Sequence, residues 1–188
     1  IDFKSLPNQF VLKCNHNSGY GMYICKNKLD MDVDCVRKNL QKGLEQDYYS
    51  INREWPYKNI PRKIIAEALM STKNGEDLRD YKLFCFNGKV KFFKMDLDRF
   101  TVHRANYYDL NGRILPFYEA DYPADFERKV DIPDSISMMI ELAEKLAKDI
   151  PFVRVDFYDV DGKVYFGEIT FFPASGIGRI EPEQADLE

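Results

Sequence analysis

The sequence predicts an α+β fold, mostly antiparallel sheet with two principal helices. Two turn signals, Asn87-Gly88 and Asp161-Gly162, each join two runs rich in β-branched and aromatic residues, which reads as a pair of β-hairpins. Two other stretches, 32–46 and 134–148, instead repeat apolar residues at helical spacing. No internal repeat and no low-complexity tract interrupts the series, and the mix of hairpins and separate helices is that of an α+β chain.

The first element is a short apolar run, Phe10-Val-Leu-Lys-Cys14. It enters the loop Asn15-His-Asn-Ser-Gly-Tyr-Gly21 and leaves through Met22-Tyr-Ile-Cys25, so two strands about a flexible loop are expected. Backbone N–H groups in such a loop can form an anion-binding nest, and Lys13 would add a point charge for phosphate. The loop is not a G-x-x-x-x-G-K-[ST] phosphate loop, and on its own it reads more readily as an ordinary surface hairpin. His16 reads as a polar loop residue rather than a catalytic base.

Asp32 to Gln46 reads as an amphipathic helix with Val33, Val36, Leu40 and Leu44 on one face. Glu54-Trp-Pro-Tyr57 is expected to pack an aromatic corner. Arg62 to Met70 reads as a strand, closed by the polar loop Ser71 to Arg79. Glu67 stands in that strand among apolar residues. A buried carboxylate is costly unless paired, so it needs a partner, either structural or belonging to a binding site.

Asp80 to Phe86 and Lys89 to Met95 flank Asn87-Gly88 as a hairpin, with Asp80 and Lys82 pointing the same way. Thr101 to Asp109 and Arg113 to Tyr118 read as another strand pair around Leu110-Asn-Gly112. Asp134 is the expected N-cap of a helix running through Lys148, whose apolar stripe is Ile136, Met139, Ile140, Ala143, Leu146 and Ala147.

The last hairpin holds the most informative charges. Along Phe152-Val-Arg-Val-Asp-Phe-Tyr158, Arg154 and Asp156 share one face while Val153, Val155 and Phe157 take the other. On the return arm Glu168 and Thr170 share a face. Turn length decides whether the pairs meet: a two-residue turn at Asp161-Gly162 would place Asp156 opposite Gly167, with Glu168 on the far face. A three-residue loop, Val160-Asp-Gly162, would place Arg154 opposite Glu168 with Asp156 on the diagonal, and this is the arrangement expected. Two carboxylates about 4 Å apart repel by roughly 4 kcal/mol at an effective dielectric near 20, so they call for a cation. That cation could be Arg154, in a plain cross-strand ion pair, or Mg²⁺, which takes carboxylate oxygens together with substrate phosphates.

Composition narrows the class. The chain has 188 residues, 45% hydrophobic and 31% charged, which fits an ordinary globular protein of one domain or two small lobes. Its net charge of −4 argues against non-specific nucleic-acid binding, and no nucleic-acid partner is expected. No apolar run approaches the ~20 residues of a membrane span, and no signal peptide is visible. Cys14, Cys25, Cys35 and Cys85 show no C-x-x-C spacing and no neighbouring His cluster, so reduced, buried cysteines and a cytoplasmic location are expected. The chain opens at Ile1 without a Met, which leads us to expect a piece of something longer; the closing Leu187-Glu188 reads as either native or appended.

Five segments in series resemble the ATP-grasp superfamily, and within it the TupA-like ATP-grasp family of cell-surface polysaccharide and teichuronopeptide gene clusters. They are Phe10-Val-Leu-Lys-Cys-Asn-His-Asn-Ser-Gly19, Lys63-Ile-Ile-Ala-Glu67, Asp80-Tyr-Lys-Leu-Phe-Cys-Phe-Asn-Gly88, Phe152-Val-Arg-Val-Asp-Phe-Tyr158 and Phe166-Gly-Glu-Ile-Thr-Phe-Phe-Pro-Ala-Ser-Gly176. Each is weak alone; together, in order and at matching spacing, they span nearly the whole chain.

The resemblance implies two lobes with a nucleotide cleft between them, residues 1–70 carrying the glycine flap and hinge strand and 71–188 the metal-binding hairpin. It implies ATP and Mg²⁺ as cofactors. Lys13 resembles the lysine at the α- and β-phosphates, and Asn17, Ser18 and Gly19 resemble the flap. Glu67, Ala68 and Leu69 resemble the hinge that hydrogen-bonds adenine, and Lys82 resembles a further phosphate contact. Asp156 and Glu168 look like the Mg²⁺ carboxylates, with Arg154 beside the transferring group. Thr170 stands where many relatives carry Asn, and its hydroxyl is the third implied Mg²⁺ ligand. The implied activity is a carboxylate–amine ligase working through an acyl phosphate, with a carboxylate-bearing sugar or amino-acid substrate and either a further N-terminal domain or a second copy as partner. A phosphotransferase or other glycan-modifying enzyme on the same fold, or a non-catalytic nucleotide-binding domain, is the alternative.

Overall fold

The computed structural model describes residues 1–75, 78–98 and 101–186 and divides the chain into two compact units, Ile1–Met70 and Ser71–Glu188. In the first, β1 (Phe10–Cys14) lies between β2 (Met22–Cys25) and the later strand β3 (Ile64–Ala68), antiparallel to both. Helix α1 (Val33–Glu45) packs on this sheet because Val36 and Leu40 fall on one stripe and meet Phe3, Phe10, Leu12 and Cys25 in a single buried cluster. Asp32 caps the helix as its sequence position suggests: Oδ1 accepts from the Asp34 and Cys35 amides at 3.1 and 2.9 Å. A short helix α2 (Tyr48–Asn52) and a 3₁₀ turn (Trp55–Tyr57) follow. There Tyr48 meets Tyr57 edge-on at 4.7 Å, although Trp55 itself is 61% exposed.

The second unit is built on a five-stranded antiparallel sheet. It uses β4 (Asp80–Phe86), β5 (Lys89–Leu97), β6 (Arg104–Tyr108), β8 (Phe152–Val160) and β9 (Lys163–Thr170), in the order β6-β5-β4-β8-β9. A two-stranded ribbon pairs β7 (Tyr118–Glu119) with β10 (Ile180–Glu181), and a single turn of helix, α4 (Glu183–Asp186), closes the described chain. Helix α3 (Ile136–Leu146) covers one face of the large sheet. Its Met139 and Ala143 join Tyr81, Leu83, Cys85, Phe93, Met95, Tyr108, Val153, Val155 and Phe157 in the main core. Alternation along the strands therefore leaves Lys82, Lys94, Arg154 and Asp156 on the face away from α3.

Several expectations are corrected. The 62–70 strand is shorter, Ile64–Ala68, and Glu67 on it is exposed rather than buried. In the expected 71–79 loop, residues 76 and 77 lie outside the described residues, as does Leu187-Glu188. The 101–109 and 113–118 segments form only one bridge, Tyr108 to Ile114, and Tyr118 pairs with Glu181 instead. The cause is local: Asp109 Oδ1 gathers the amides of Asn111 and Arg113 at 2.8 and 2.9 Å, and Pro116 offers no donor to a ladder. Helix α3 takes Ser135, not Asp134, at its N-cap, and Ser135 makes no capping bond because its hydroxyl donates to Asp159. The cysteines are all free; Cys14, Cys25 and Cys85 are buried, whereas Cys35 is exposed on the outer side of α1. Among the described residues no helix is long and apolar enough to cross a membrane.

Candidate active site

The β8–β9 hairpin turns through two residues, since Val160 pairs with Lys163 and both Asp161 (φ 54°) and Gly162 (φ 82°) are left-handed. This overturns the expected three-residue loop. Counting back from such a turn would put Asp156 opposite Gly167. A bulge intervenes: Phe157 pairs with Phe166, but Asp156 pairs with Glu168 and Arg154 with Thr170. Gly167 is the extra residue, and it must be small, because a Cβ there would lie 3.0 Å from the Asp156 carbonyl oxygen and 3.2 Å from the Tyr158 ring.

The β4–β5 hairpin does the same. Its turn also takes two left-handed residues, Asn87 (φ 49°) and Gly88 (φ 76°), and Cys85 pairs with Val90 while Phe84 pairs with Phe92, so Lys91 is the extra residue. Without that shift Lys82 would face Phe93; with it, Lys82 faces Lys94. The two bulges bring Glu168, Asp156, Lys82, Lys94 and Tyr107 into one transverse row across all five strands.

Charges in and beside this row interlock. Arg154 donates through Nε and Nη2 to Asp156 Oδ1 and Oδ2, both at 2.8 Å, a bidentate pair. Its Nη2 also reaches Glu168 Oε1 at 2.8 Å and Thr170 Oγ1 at 3.0 Å, while the Thr170 hydroxyl donates to Glu168 Oε1 at 2.8 Å. Lys82 Nζ lies among Asp80, Asp156 Oδ2 at 3.2 Å and Asp96 Oδ2 at 3.5 Å. Lys94 Nζ is held by both Glu119 oxygens at 3.0 Å, and Tyr107 donates to Glu119 Oε1 at 2.7 Å.

The electrostatics follow from burial. Burial pushes the Asp80 carboxyl above its ordinary range; Lys82 opposes this, and the Asp156 and Asp96 charges add to it. For Lys82 burial alone would favour the neutral amine, but Asp156, Asp80 and Asp96 outweigh it and its pKa rises. Arg154 is likewise held firmly charged: burial works against its charge, and Asp156 and Glu168 more than compensate.

A metal ion is tested by its donors. Asp156, Glu168 and Thr170 each turn an oxygen onto one cationic nitrogen, Arg154 Nη2. Two carboxylates and a hydroxyl converging on a positive centre are the hard oxygen set that suits Mg²⁺, with Arg154 standing in as the cation. Among the described residues no three His, Cys, Asp or Glu side chains gather as a metal site by themselves, so any such ion would rely on Thr170, water or substrate oxygens as well.

In the first unit, Lys13 sits mid-sheet opposite Met22 and Ile65, and its Nζ pairs with Glu67 Oε2 at 2.8 Å. This is the partner Glu67 was expected to need, though both side chains are well exposed, at 39% and 47%. Ala68 ends β3 and Leu69 follows it, half-buried. The glycine loop is tied down at its base. Asn17 Nδ2 donates to the Gly43 carbonyl at 3.0 Å, and His16, buried, lies 3.2 Å from the Gln46 carbonyl through Nε2. Gly21 and Gly43 touch backbone to backbone, since a Cβ on Gly43 would fall 2.5 Å from Gly21 Cα. Only the tip, Ser18, Gly19 and Tyr20, is exposed.

Asp80, Asp96, Lys94, Glu119 and Tyr107 were not singled out as site residues from the sequence. The signal for Lys94 and Asp96 was present: each is a charge at a β5 position facing away from α3. The signal for Glu119 was not, because only the fold brings its strand to Lys94.

A family model for TupA-like ATPgrasp matches residues 1–188 of the chain. No curated protein matches. Among solved structures, the D-alanine–D-alanine ligase from Helicobacter pylori is 17% identical, over 91% of this chain and 44% of its own, with a TM-score of 0.49. The D-alanine–D-alanine ligase from Bacillus anthracis complexed with ATP is 15% identical, over 86% of this chain and 39% of its own, at 0.45. The ATP-grasp ligase PsnB complexed with a minimal precursor is 12% identical, over 92% and 41%, at 0.43. The chain spans less than half the length of each of these ligases.

Proposed function

The chain belongs to the TupA-like ATP-grasp family, and from that premise we propose that it serves an ATP- and Mg²⁺-dependent carboxylate–amine ligase that works through an acyl phosphate in cell-surface polysaccharide assembly. The observation that carries the reading is the convergence of Asp156, Glu168 and Thr170 on Arg154 Nη2, beside buried Lys82. It supplies, on one sheet face, the paired carboxylates and the fixed cations that phosphoryl transfer needs.

On this reading residues 1–70 are the lobe with the glycine loop and hinge strand, and 71–188 the lobe with the metal-binding hairpin. Lys13 and the Ser18-Gly19 backbone hold phosphate oxygens, with Asn17 bracing the loop from Gly43. Glu67, Ala68 and Leu69 border the adenine. Asp156, Glu168 and Thr170 would hold Mg²⁺, which when bound neutralises charge on the β- and γ-phosphates. Arg154, released from those oxygens, and Lys82 stabilise the charge on the transferring group. A substrate carboxylate oxygen bonds to the γ-phosphorus as the bond to the bridging oxygen breaks and ADP leaves. An amine lone pair then attacks the acyl carbon, phosphate departs, and the amine proton passes to solvent.

The test is chemical. With ATP, Mg²⁺, hydroxylamine and a panel of uronic and amino acids, a hydroxamate should form and ADP accumulate. A phosphoester product in place of the hydroxamate would overturn the ligase reading, and so would the absence of any Mg²⁺-dependent nucleotide effect on the melting temperature.

A further inference from the structure

The two halves of the chain carry opposite charge. Residues 1–70 hold eleven Lys and Arg against eight Asp and Glu, a net of +3, while residues 71–188 hold sixteen against twenty-three, a net of −7. Within the basic half, residues 48–63 expose four cations, Arg53, Lys58, Arg62 and Lys63. The single carboxylate in that stretch, Glu54, is buried and accepts from the Tyr48 hydroxyl at 3.3 Å. Asp47, just before it, is spent on capping α2 through the Ser50 amide and hydroxyl.

The same stretch exposes large apolar groups. Trp55, the only tryptophan of the chain, is 61% exposed and Ile51 is 64% exposed. Tyr49 stands edge-on to Trp55 at 6.2 Å, with Lys58 Nζ 4.3 Å from the Trp55 ring and 5.4 Å from the Tyr49 ring, and Arg53 5.8 Å from Tyr49. Cations resting against aromatic faces keep their charged ends near water while the rings offer apolar area. Exposed Trp55 and Ile51, with half-buried Tyr49 beside them, set among Lys and Arg, match the chemistry of a bilayer's polar boundary, where indole rings settle at headgroup level and basic side chains meet anionic lipid.

We propose that the surface formed by Tyr49, Ile51, Arg53, Trp55 and Lys58 docks the chain reversibly on an anionic phospholipid membrane. Charge complementarity selects this occupant: an uncharged glycan would leave the charges of Arg53 and Lys58 unanswered, while a bilayer takes rings and cations together. The surface shares no residue with the charge row on the large sheet, so docking and ligation can be tested separately.

Trp55 gives a clean readout, having no other tryptophan to obscure it. Titrating the 188-residue chain with vesicles of equal phosphatidylglycerol and phosphatidylcholine should shift Trp55 emission to the blue and carry the protein down on sedimentation. Phosphatidylcholine vesicles alone, or 0.5 M salt, should abolish both. Reversing two cations, Arg53→Glu with Lys58→Glu, should weaken sedimentation by about 30-fold or more, since each basic side chain near such a surface contributes roughly a factor of five. If the double variant unfolds, Lys58→Glu alone, on an exposed side chain, should still weaken binding about fivefold or more. No shift with mixed vesicles, equal binding to phosphatidylcholine, undiminished binding by the folded variants, or a shift produced by RNA or an anionic oligosaccharide but not by vesicles would each overturn the proposal.

Discussion

Lys82 and Lys94 stand directly opposite each other on β4 and β5, two ammonium groups with 9% and 5% side-chain exposure. Like charges placed so close on a sheet oppose pairing. They persist because each has its own carboxylate clasp, Asp80 and Asp156 for Lys82 and Glu119 for Lys94, with Asp96 between them at 3.5 and 3.8 Å. The row is therefore a network in which removing any buried acid strands a buried cation.

Asp156 and Glu168, paired across β8 and β9, should behave differently when truncated. Asp156→Ala leaves Arg154 and Lys82 buried with their best partner gone and should destabilise the chain by about 3–5 kcal/mol. Glu168, at 57% side-chain exposure, should cost no more than about 1 kcal/mol on truncation. Chemical denaturation checks both values. On the proposed function Glu168→Ala should nevertheless abolish the Mg²⁺-dependent part of the nucleotide-induced rise in melting temperature.

Lys13 pairs with Glu67 in the open, so Lys13→Ala should change stability by less than about 1 kcal/mol. ATP with Mg²⁺ should raise the melting temperature of the parent chain, by about 2.7 kcal/mol of stabilisation at a hundredfold excess over Kd. The Lys13→Ala chain should show no rise. Thermal shift with a nucleotide panel measures this directly.

Asp80 gives a pH signature. Its carboxyl is raised by burial, so the folded chain holds that proton more tightly than the unfolded chain does. The stability this contributes is complete below the ordinary carboxylate pKa of about 3.9 and is lost as pH climbs through the higher folded value. Asp80→Asn removes the loss. Whatever the variant loses at every pH by taking a charge from Lys82, its stability relative to the parent should be higher at pH 7 than near pH 4, as melting curves across this range will report.

Gly167→Ala tests the bulge. A methyl there meets the Asp156 carbonyl oxygen at 3.0 Å, which backbone cannot easily yield. A cost of about 1–3 kcal/mol is expected from overpacking. Because the strain falls between Asp156 and Glu168, the Mg²⁺-dependent nucleotide response should weaken too. Gly162→Ala, at the open turn tip, should leave that response intact.

The elements that were legible from the sequence are those governed by local chemistry. Asn87-Gly88 and Asp161-Gly162 announce turns because each turn needs two left-handed residues, and α1 follows from its stripe and the Asp32 cap. The pairing of Asp156 with Glu168 could not be counted out, because an extra residue in β9 has no turn signal of its own; Gly167 was visible, its meaning was not. Glu67 misled for a related reason. Apolar neighbours suggested burial, whereas β3 is the outer strand of its small sheet and leaves that carboxylate to meet Lys13 in solvent. Glu119 was beyond reach, since its place beside Lys94 depends on β7 pairing with a strand some sixty residues later.

The one-residue excess at Gly167 also sets how the outer hairpin can vary. Beyond it the ladder from Phe157–Phe166 to Val160–Lys163 runs in simple rungs, clasped at the end where Asp161 takes the Lys73 amide at 3.2 Å and where Ser135 reaches Asp159. Taking away or adding a matched rung there alters the arm's reach and loosens that clasp while every acid stays in place. Taking away one residue from a single arm beyond the bulge would part Asp156 and Glu168 onto opposite sides of the sheet, since β4 holds Asp156 in place. Length variation in this hairpin should therefore come in twos, one residue from each arm.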